Sequence, residues 1–277
     1  MMKVVNVLAV VFLCLGGVSA QAGVLSHWGF EETSGATAAD DAGGITATTG
    51  GGTFDLGVPG VFGSGVQMTD GFMDMAAIPA FHTSSFSFAA WVKIPDISLR
   101  CPILGEWSGS AGTPAGYSFL FEQPGGGNAG KIQMSFQNTD KIHIPYPRDN
   151  APDGQPADGD SWSFSSAEPV FADGDWHHVA FSFDRPTKTG RIFTDGILVD
   201  EVTTNRTNVD VFVNTITPKI GRKEDGGTNF TGYMDEVYIF DHALGIGEVN
   251  ALIPEPTSLL MLGLGGLAIY HRKRAKS

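Results

Sequence analysis

Between Gly23 and Ile253 the apolar residues fall in short runs, alternating with polar ones or continuous. Each run stops at a cluster of Gly, Pro, Asp or Asn. That punctuation predicts an all-β chain, because a half-buried strand needs period-two alternation and a fully buried one a short apolar run. Strands are predicted over Leu25–Phe30, Gly65–Thr69, Ser85–Ile94, Tyr117–Glu122, Lys131–Gln137, Lys141–Tyr146, His177–Asp184, Arg191–Thr194, Ile197–Val202, Lys219–Gly221 and Gly232–Phe240. Asp195-Gly196 separates two of these runs by the dipeptide that best tolerates φ > 0 at both turn positions, so a tight hairpin is predicted there. The run around Phe86, Phe88 and Ala90 has few polar alternates, which predicts a strand covered on both faces. No fixed-period repeat is present, which excludes a propeller or solenoid. The predicted fold is a two-sheet antiparallel sandwich.

The two ends follow other rules, and a short hydrophobic helix is predicted in each. In residues 1–22, Lys3 precedes an apolar run from Val4 to Val18, and Ala20 and Ala22 flank a small-residue cleavage site before Gly23. This is the pattern of a secretory signal peptide. Cys14 lacks the small residues that precede a lipidated cysteine. Residues 254–277 begin with Pro254, Glu255 and Pro256, continue through the 12-residue apolar stretch Leu259–Tyr270, and close on Arg272, Lys273 and Arg274. Crossing a bilayer takes about 20 residues, so this stretch is short for a stable anchor, although its basic end would favour the cytoplasmic side. Residues 23–253 are the predicted folded domain between these ends.

Charge narrows the function. The whole chain has a formal net charge of −13, and four of its basic residues sit in the terminal tail. A strongly negative body repels phosphate, which excludes nucleic acid as a partner. Charged residues are only 17% and hydrophobic ones 42%, so the chain can bury a core and is not an acidic disordered tail. Cys101 is alone in the 23–253 segment, so no internal disulfide supports it, even in an oxidising compartment.

Several ordered motifs carry a resemblance. Trp28-Gly-Phe30-Glu31-Glu32 with Ser34-Gly35, Phe62-Gly-Ser-Gly-Val66, Phe86-Ser-Phe-Ala-Ala-Trp91-Val92, Gly174-Asp-Trp-His-His-Val-Ala180, and Phe230-Thr-Gly-Tyr-Met-Asp235-Glu-Val-Tyr-Ile-Phe240 resemble the laminin G-like, concanavalin A-like domains. The resemblance spans residues 24–252 and implies a jelly-roll sandwich, with an exit into a short helical turn after Ala243-Leu244. The loop from Pro145 to Asp173 departs from the family pattern. The tail resembles the PEP-CTERM sorting signal, whose family is processed near the Pro-Glu-Pro triplet by exosortase-type membrane enzymes of exopolysaccharide-making Gram-negative bacteria. That resemblance implies export to the cell surface or extracellular matrix, and at least transient membrane contact through the tail.

Candidate chemistry is sparse. Glycoside hydrolysis needs two carboxyl groups about 5–9.5 Å apart, and no strand carries a Glu-x-Asp or Asp-x-Glu pair; no enzyme is predicted. His177 and His178 are adjacent, so on a strand they face opposite sides and cannot share an ion. The fold resemblance implies a structural calcium between early and late strands, with Glu31 and Asp235 as the residues to test; loop capping by Asp235 is the competing role. Asp149 to Asp160 imitates a calcium loop but has Ala151 at a ligand position. Trp107 and Trp162 stand among polar residues, and with Tyr146 they are the expected ligand-binding residues, since an exposed indole offers a face on which a sugar ring stacks. Trp28, Trp91 and Trp176 are expected in the core. The expected role is non-enzymatic binding or adhesion to extracellular polysaccharide, with a structural matrix component as the alternative and a glycan-cleaving enzyme as a third.

Overall fold

The computed structural model describes residues 23–78, 83–95, 99–108, 115–123, 130–137, 161–166, 173–204, 217–223 and 227–254. In chain order the strands are β1 (Val24–Trp28), β2 (Thr37–Ala38), β3 (Ala47–Pro59), β4 (Ser64–Asp74), β5 (Phe86–Lys93), β6 (Cys101–Ser108) and β7 (Ala115–Phe121). They continue with β8 (Ile132–Gln137), β9 (Ser161–Ser165), β10 (Trp176–Asp184), β11 (Thr189–Thr194), β12 (Ile197–Thr203), β13 (Lys219–Ile220) and β14 (Phe230–Phe240), and one helix, α1 (Ile246–Ala251), follows.

Every ladder is antiparallel. The hydrogen-bonded path runs β12-β11-β10-β5-β14-β4-β13-β6-β7-β8-β9, and it folds over so that its two halves face each other. Aromatic pairs record the closure. Phe86 of β5 meets Phe136 of β8 at 5.8 Å, Phe88 meets Phe119 of β7 at 5.4 Å, and Phe183 of β10 meets Phe136 at 4.9 Å. Tilted and edge-on rings of this kind contribute about 0.5–1.5 kcal/mol per pair beyond their buried area. The predicted all-β jelly-roll sandwich is therefore present, its two layers joined through β4 and β13.

The β5 sequence explains the second, smaller core. Phe86, Phe88, Ala90 and Val92 enter the main cluster, while Ala89 on the opposite face packs with Ala180, Phe193, Phe240, Leu244 and Val249. Ser87, fully buried on that same outer face, donates to the His242 carbonyl at 2.7 Å and accepts from the Leu244 amide at 2.8 Å. That pair of bonds fixes the chain leading into α1. The predicted hairpin also forms: Asp195 and Gly196 have φ of 50° and 78°, the double left-handed geometry of a type I′ turn.

Four strands escape the sequence pattern. β3 reads as turn because of Gly50–Gly52, yet those glycines are what let it pair with β4: a Cβ at Gly50 would lie 2.1 Å from the Phe72 ring. β6 contains Pro102 and Gly105, β9 is nearly all serine and Trp162, and β2 has two residues. The predicted strand Lys141–Tyr146 and both predicted terminal helices lie outside the described residues. Of the three tryptophans expected in the core, Trp28 is fully buried and donates to the Ile45 carbonyl at 2.9 Å; Trp91 and Trp176 are half-buried.

Candidate functional site

The β6–β9 half of the sandwich has two chemically different faces. Directly paired residues of antiparallel strands share a face. Tyr117 pairs with Phe136, and Phe119 with Met134, and all four belong to the main core. The alternate positions form the other face. Gly105 pairs with Ser118, Ser118 with Ser135, and Ser135 with Ser163; one step along, Trp107 pairs with Gly116 and Gly116 with Gln137. Period-two alternation thus builds a ladder of serine, glutamine and glycine positions, with an indole at its β6 end and the buried Leu120, paired with Gln133, on the same face. Ser135 donates to Gln133 at 3.3 Å, whereas the hydroxyls of Ser118 and Ser165, both buried, have no hydrogen-bond partner among the described residues. Buried polar atoms without partners are rare, and each calls for a physical explanation.

Trp107 was expected in an exposed polar loop. It lies instead on β6, is only 6% exposed, and stands outside both apolar clusters. Its cover is Lys223, whose Nζ is 4.3 Å from the ring centroid, and Gly105 beside it is required because a Cβ there would meet the Lys223 Cα at 2.6 Å. Ladder pairing, not loop polarity, sets the position of this indole. Trp162 was also expected in a loop; its backbone is on β9, opposite Phe136. Tyr146 lies outside the described residues. Sequence reasoning missed the serine ladder, although Gln133-x-Ser135-x-Gln137 and Ser161-x-Ser163-x-Ser165 display its alternation openly.

Glu106 is the single carboxylate within β6–β9. It is buried opposite Tyr117, on the core side. Burial, and then the Glu106 carboxylate, push the Tyr117 phenol well above its ordinary value. His177 and His178 diverge as the strand geometry requires. His177 reaches Asp195 at 2.8 Å and Asp173 at 3.2 Å, while His178 is buried edge-on to Trp91.

Glu31 and Asp235, separated by most of the chain, converge on one turn. Asp235 Oδ2 accepts from the amides of Val61 at 2.7 Å and Phe62 at 3.0 Å, and Glu31 Oε2 accepts from the Ser64 amide at 3.2 Å. Two glycines make room: a Cβ at Gly60 would lie 2.4 Å from Asp235 Oδ2, and one at Gly63 would lie 2.2 Å from Glu31 Oε1. Asp235 is fully buried and its Oδ1 has no hydrogen-bond partner among the described residues. Burial above all, with neighbouring Glu236 adding repulsion, pushes its carboxyl up to about 7. Glu236 itself turns away, with φ of 51°, to accept from Tyr238 and meet His27 at 3.0 Å. Among the described residues no group of three or more His, Cys, Asp or Glu gathers as a metal cluster, so any cation here would complete its shell from backbone carbonyls. Pro254 is the last described residue; Glu255, Pro256, Arg272, Lys273 and Arg274 lie beyond.

Comparison with known proteins agrees with this architecture. No curated protein matches the chain. Among solved structures, the binding domain of Paraclostridial Mosquitocidal Protein 1 superposes with TM-score 0.57 at 11% identity, over 84% of this chain and 52% of that one. The chain thus spans about half the length of that structure. Domain 4 of AbnA, a GH43 extracellular arabinanase from Geobacillus stearothermophilus solved in complex with arabinotriose, gives TM-score 0.57 at 17% identity over 84% and 98%. The Ruminococcus gnavus IT-sialidase CBM40 bound to α2,3 sialyllactose gives 0.51 at 14% over 69% and 96%. Residues 252–275 match the PEP-CTERM protein-sorting motif. Residues 65–250, more than half of the chain, match the family model of the concanavalin A-like lectin/glucanases superfamily, and the chain belongs to that superfamily.

Proposed function

We propose that this is an exported, surface- or matrix-associated protein that binds extracellular polysaccharide without cleaving it. The observation that carries the reading is the ladder of small hydroxyl positions beside Trp107, on the sheet face turned away from the core. Saccharides are recognised by such a combination, an aromatic face for the apolar side of a sugar ring and short donors and acceptors for its hydroxyls, and here the Lys223 side chain that covers the indole must swing aside to admit the ring. Domain 4 of AbnA and the CBM40 domain, which share the fold, were solved with saccharides bound, and this supports the same class of ligand. Among the described residues the strands β6–β9 carry one carboxylate, Glu106, on the core side, and this supports binding without hydrolysis. Domain boundaries at 22 and 253, with a leader before and the sorting segment after, complete the reading. The membrane is then a transient partner and the exosortase-type machinery the processing partner.

A calcium ion at Asp235 is part of the proposal. Oδ1, the unpartnered carboxylate oxygen, and Glu31 across the 60–64 turn supply hard oxygen ligands, and bound calcium would lock that turn between β1 and β14. The test of the main reading is affinity electrophoresis of the full chain against the host's extracellular polysaccharide. Retardation that Trp107→Phe weakens is the expected result. Migration unaltered by any polysaccharide, together with self-association, would replace the binding role with a structural one.

A further inference from the structure

We propose that the end of the domain formed by α1 and the tip of the β11–β12 hairpin docks on the lipid surface of a membrane. Of the five large hydrophobic side chains exposed among the described residues, three lie here: Ile197, Leu198 and Ile246, at 65%, 39% and 51% exposure. The hairpin tip meets the helix directly, since a Cβ on Gly196 would lie 2.1 Å from Asn250 Oδ1 and 3.1 Å from Ile253 Cδ1. Ile246 stands one helical turn before Asn250, on the same side of α1. Leu198 pairs with Phe193, which belongs with Val249 of α1 to the smaller core, so Leu198 shares the face that the helix covers. Exposed Gly247, Asn250 and Ala251 extend this surface without charge. Two carboxylates border it, and each is held by a histidine: Asp195 by His177 at 2.8 Å and Glu248 by His242 at 3.0 Å. In a chain of net charge −13, an apolar patch of this kind suits the boundary between headgroups and acyl chains.

What covers the patch follows from where the two apolar ends of the chain join the domain. The Gly23 carbonyl accepts from the Asp241 amide at 2.9 Å, and a Cβ on Gly23 would lie 2.4 Å from His242 Nδ1. Through His242 and Glu248, the start of β1 is thus tied to α1. The apolar run Val4–Val18 therefore joins the domain at the same end as the apolar stretch Leu259–Tyr270, which five residues separate from Ile253. A linker of that length reaches about 20 Å at full extension, so a tail in the bilayer keeps α1 at its surface. Twelve apolar residues are short for a span of about 20, and stable attachment takes a second signal. The patch supplies it. Docking also sets Pro254, Glu255 and Pro256 at the membrane surface, where a membrane enzyme has to find them.

The inference rests on the reading that the tail contacts a membrane, and the test separates the two. Ile246→Cys, in the full chain with Cys14→Ser, is labelled with an environment-sensitive fluorophore; Cys101 is buried and stays unlabelled. Asp55→Cys, exposed on β3 and joined through Gln67 to the early part of β14, is the control. With phosphatidylcholine vesicles, the label at 246 should shift to the blue and be quenched by headgroup-spin-labelled lipid, while the label at 55 stays as in water. Ile197→Ser combined with Ile246→Ser should lower the ratio of vesicle-bound to free protein about tenfold at an unaltered melting temperature. A water-like label at 246 on protein that sediments with the vesicles overturns the docking and leaves the tail reading standing. Full vesicle partition of the double variant overturns it as well. A blue shift without lipid that grows with protein concentration assigns the patch to a second copy of this chain and overturns the membrane as its partner. No sedimentation with vesicles overturns both readings.

Discussion

The Lys223 ammonium lies 4.3 Å from the centroid of the Trp107 ring, and the same residue's backbone rests where a side chain at Gly105 would otherwise stand. An indole that sequence context assigns to a polar loop is thereby pinned at the edge of a serine-lined sheet. Trp107→Ala should cost about 3 kcal/mol of stability, since it removes a large, nearly buried ring. Trp107→Phe should cost far less and still weaken polysaccharide retardation. Lys223→Met preserves cover and removes charge; if it abolished retardation as fully as Trp107→Phe, the lysine rather than the indole would be the contact.

Asp235 should couple stability to calcium. Saturating calcium, at about a hundred times its dissociation constant, adds about 2.7 kcal/mol, seen as a rise in melting temperature that EDTA reverses. Asp235→Asn retains an acceptor for the Val61 and Phe62 amides and should lose most of the calcium response. Equal calcium shifts in the variant and the parent would remove Asp235 from the ligand set. Asp235→Ala, which leaves both amides unpaired, should cost about 3 kcal/mol.

His178 sets a pH dependence. Burial lowers its pKa from 6.5 to about 4, against a smaller opposing pull from Asp195. Between those values the unfolded chain binds a proton that the folded chain refuses. Stability therefore falls as pH drops below about 6.5 and levels off below about 4. Urea midpoints measured across that window, parent minus His178→Gln, isolate this group. A flat difference would mean that His178 takes up its proton over the same pH range in the folded and the unfolded chain. His242, whose pKa is raised by Glu248 and Asp241, acts in the opposite sense and cancels in the difference.

Gly196 carries the tip of the β11–β12 hairpin against the end of α1. Its φ is 78°, and a Cβ would lie 2.1 Å from Asn250 Oδ1. Gly196→Ala should lose at least about 1–2 kcal/mol from the left-handed backbone alone, with a matching drop in urea midpoint. Asp195→Asn, at the other turn position, should lose less because asparagine accepts that conformation.

Processing of the sorting segment is checked by intact mass. The surface-associated protein should end near Pro254, Glu255 and Pro256 and lack Arg272, Lys273 and Arg274. A mass that retains the basic end would show that the motif at residues 252–275 is not cleaved.

Much of the fold was legible locally. Asp195-Gly196 announces its hairpin because only a few residue pairs accept φ > 0 twice. Phe86 to Val92 announces a strand covered on both faces because polar alternates are missing. The signal failed where a strand's composition imitates a turn. β3 carries Gly50 and Gly51 to clear the Phe72 ring and Gly52 to clear the Asp70 backbone, β6 holds Gly105 to clear Lys223, and β9 is serine-rich because its alternate positions extend the polar ladder. In each case the reason for the residue lies on another segment of the chain.

The sequence by itself determined the class of the fold, its hairpin, its acidic charge and the sorting segment, since periodicity, turn chemistry and terminal motifs are encoded within short windows. The tertiary structure alone decided the sites. The serine ladder exists only through strand register, and Asp235 reaches the Val61 amide across 174 positions. Arg185 meets Ser84 across 101. Contacts of that range depend on sheet closure, which no local pattern of residues records.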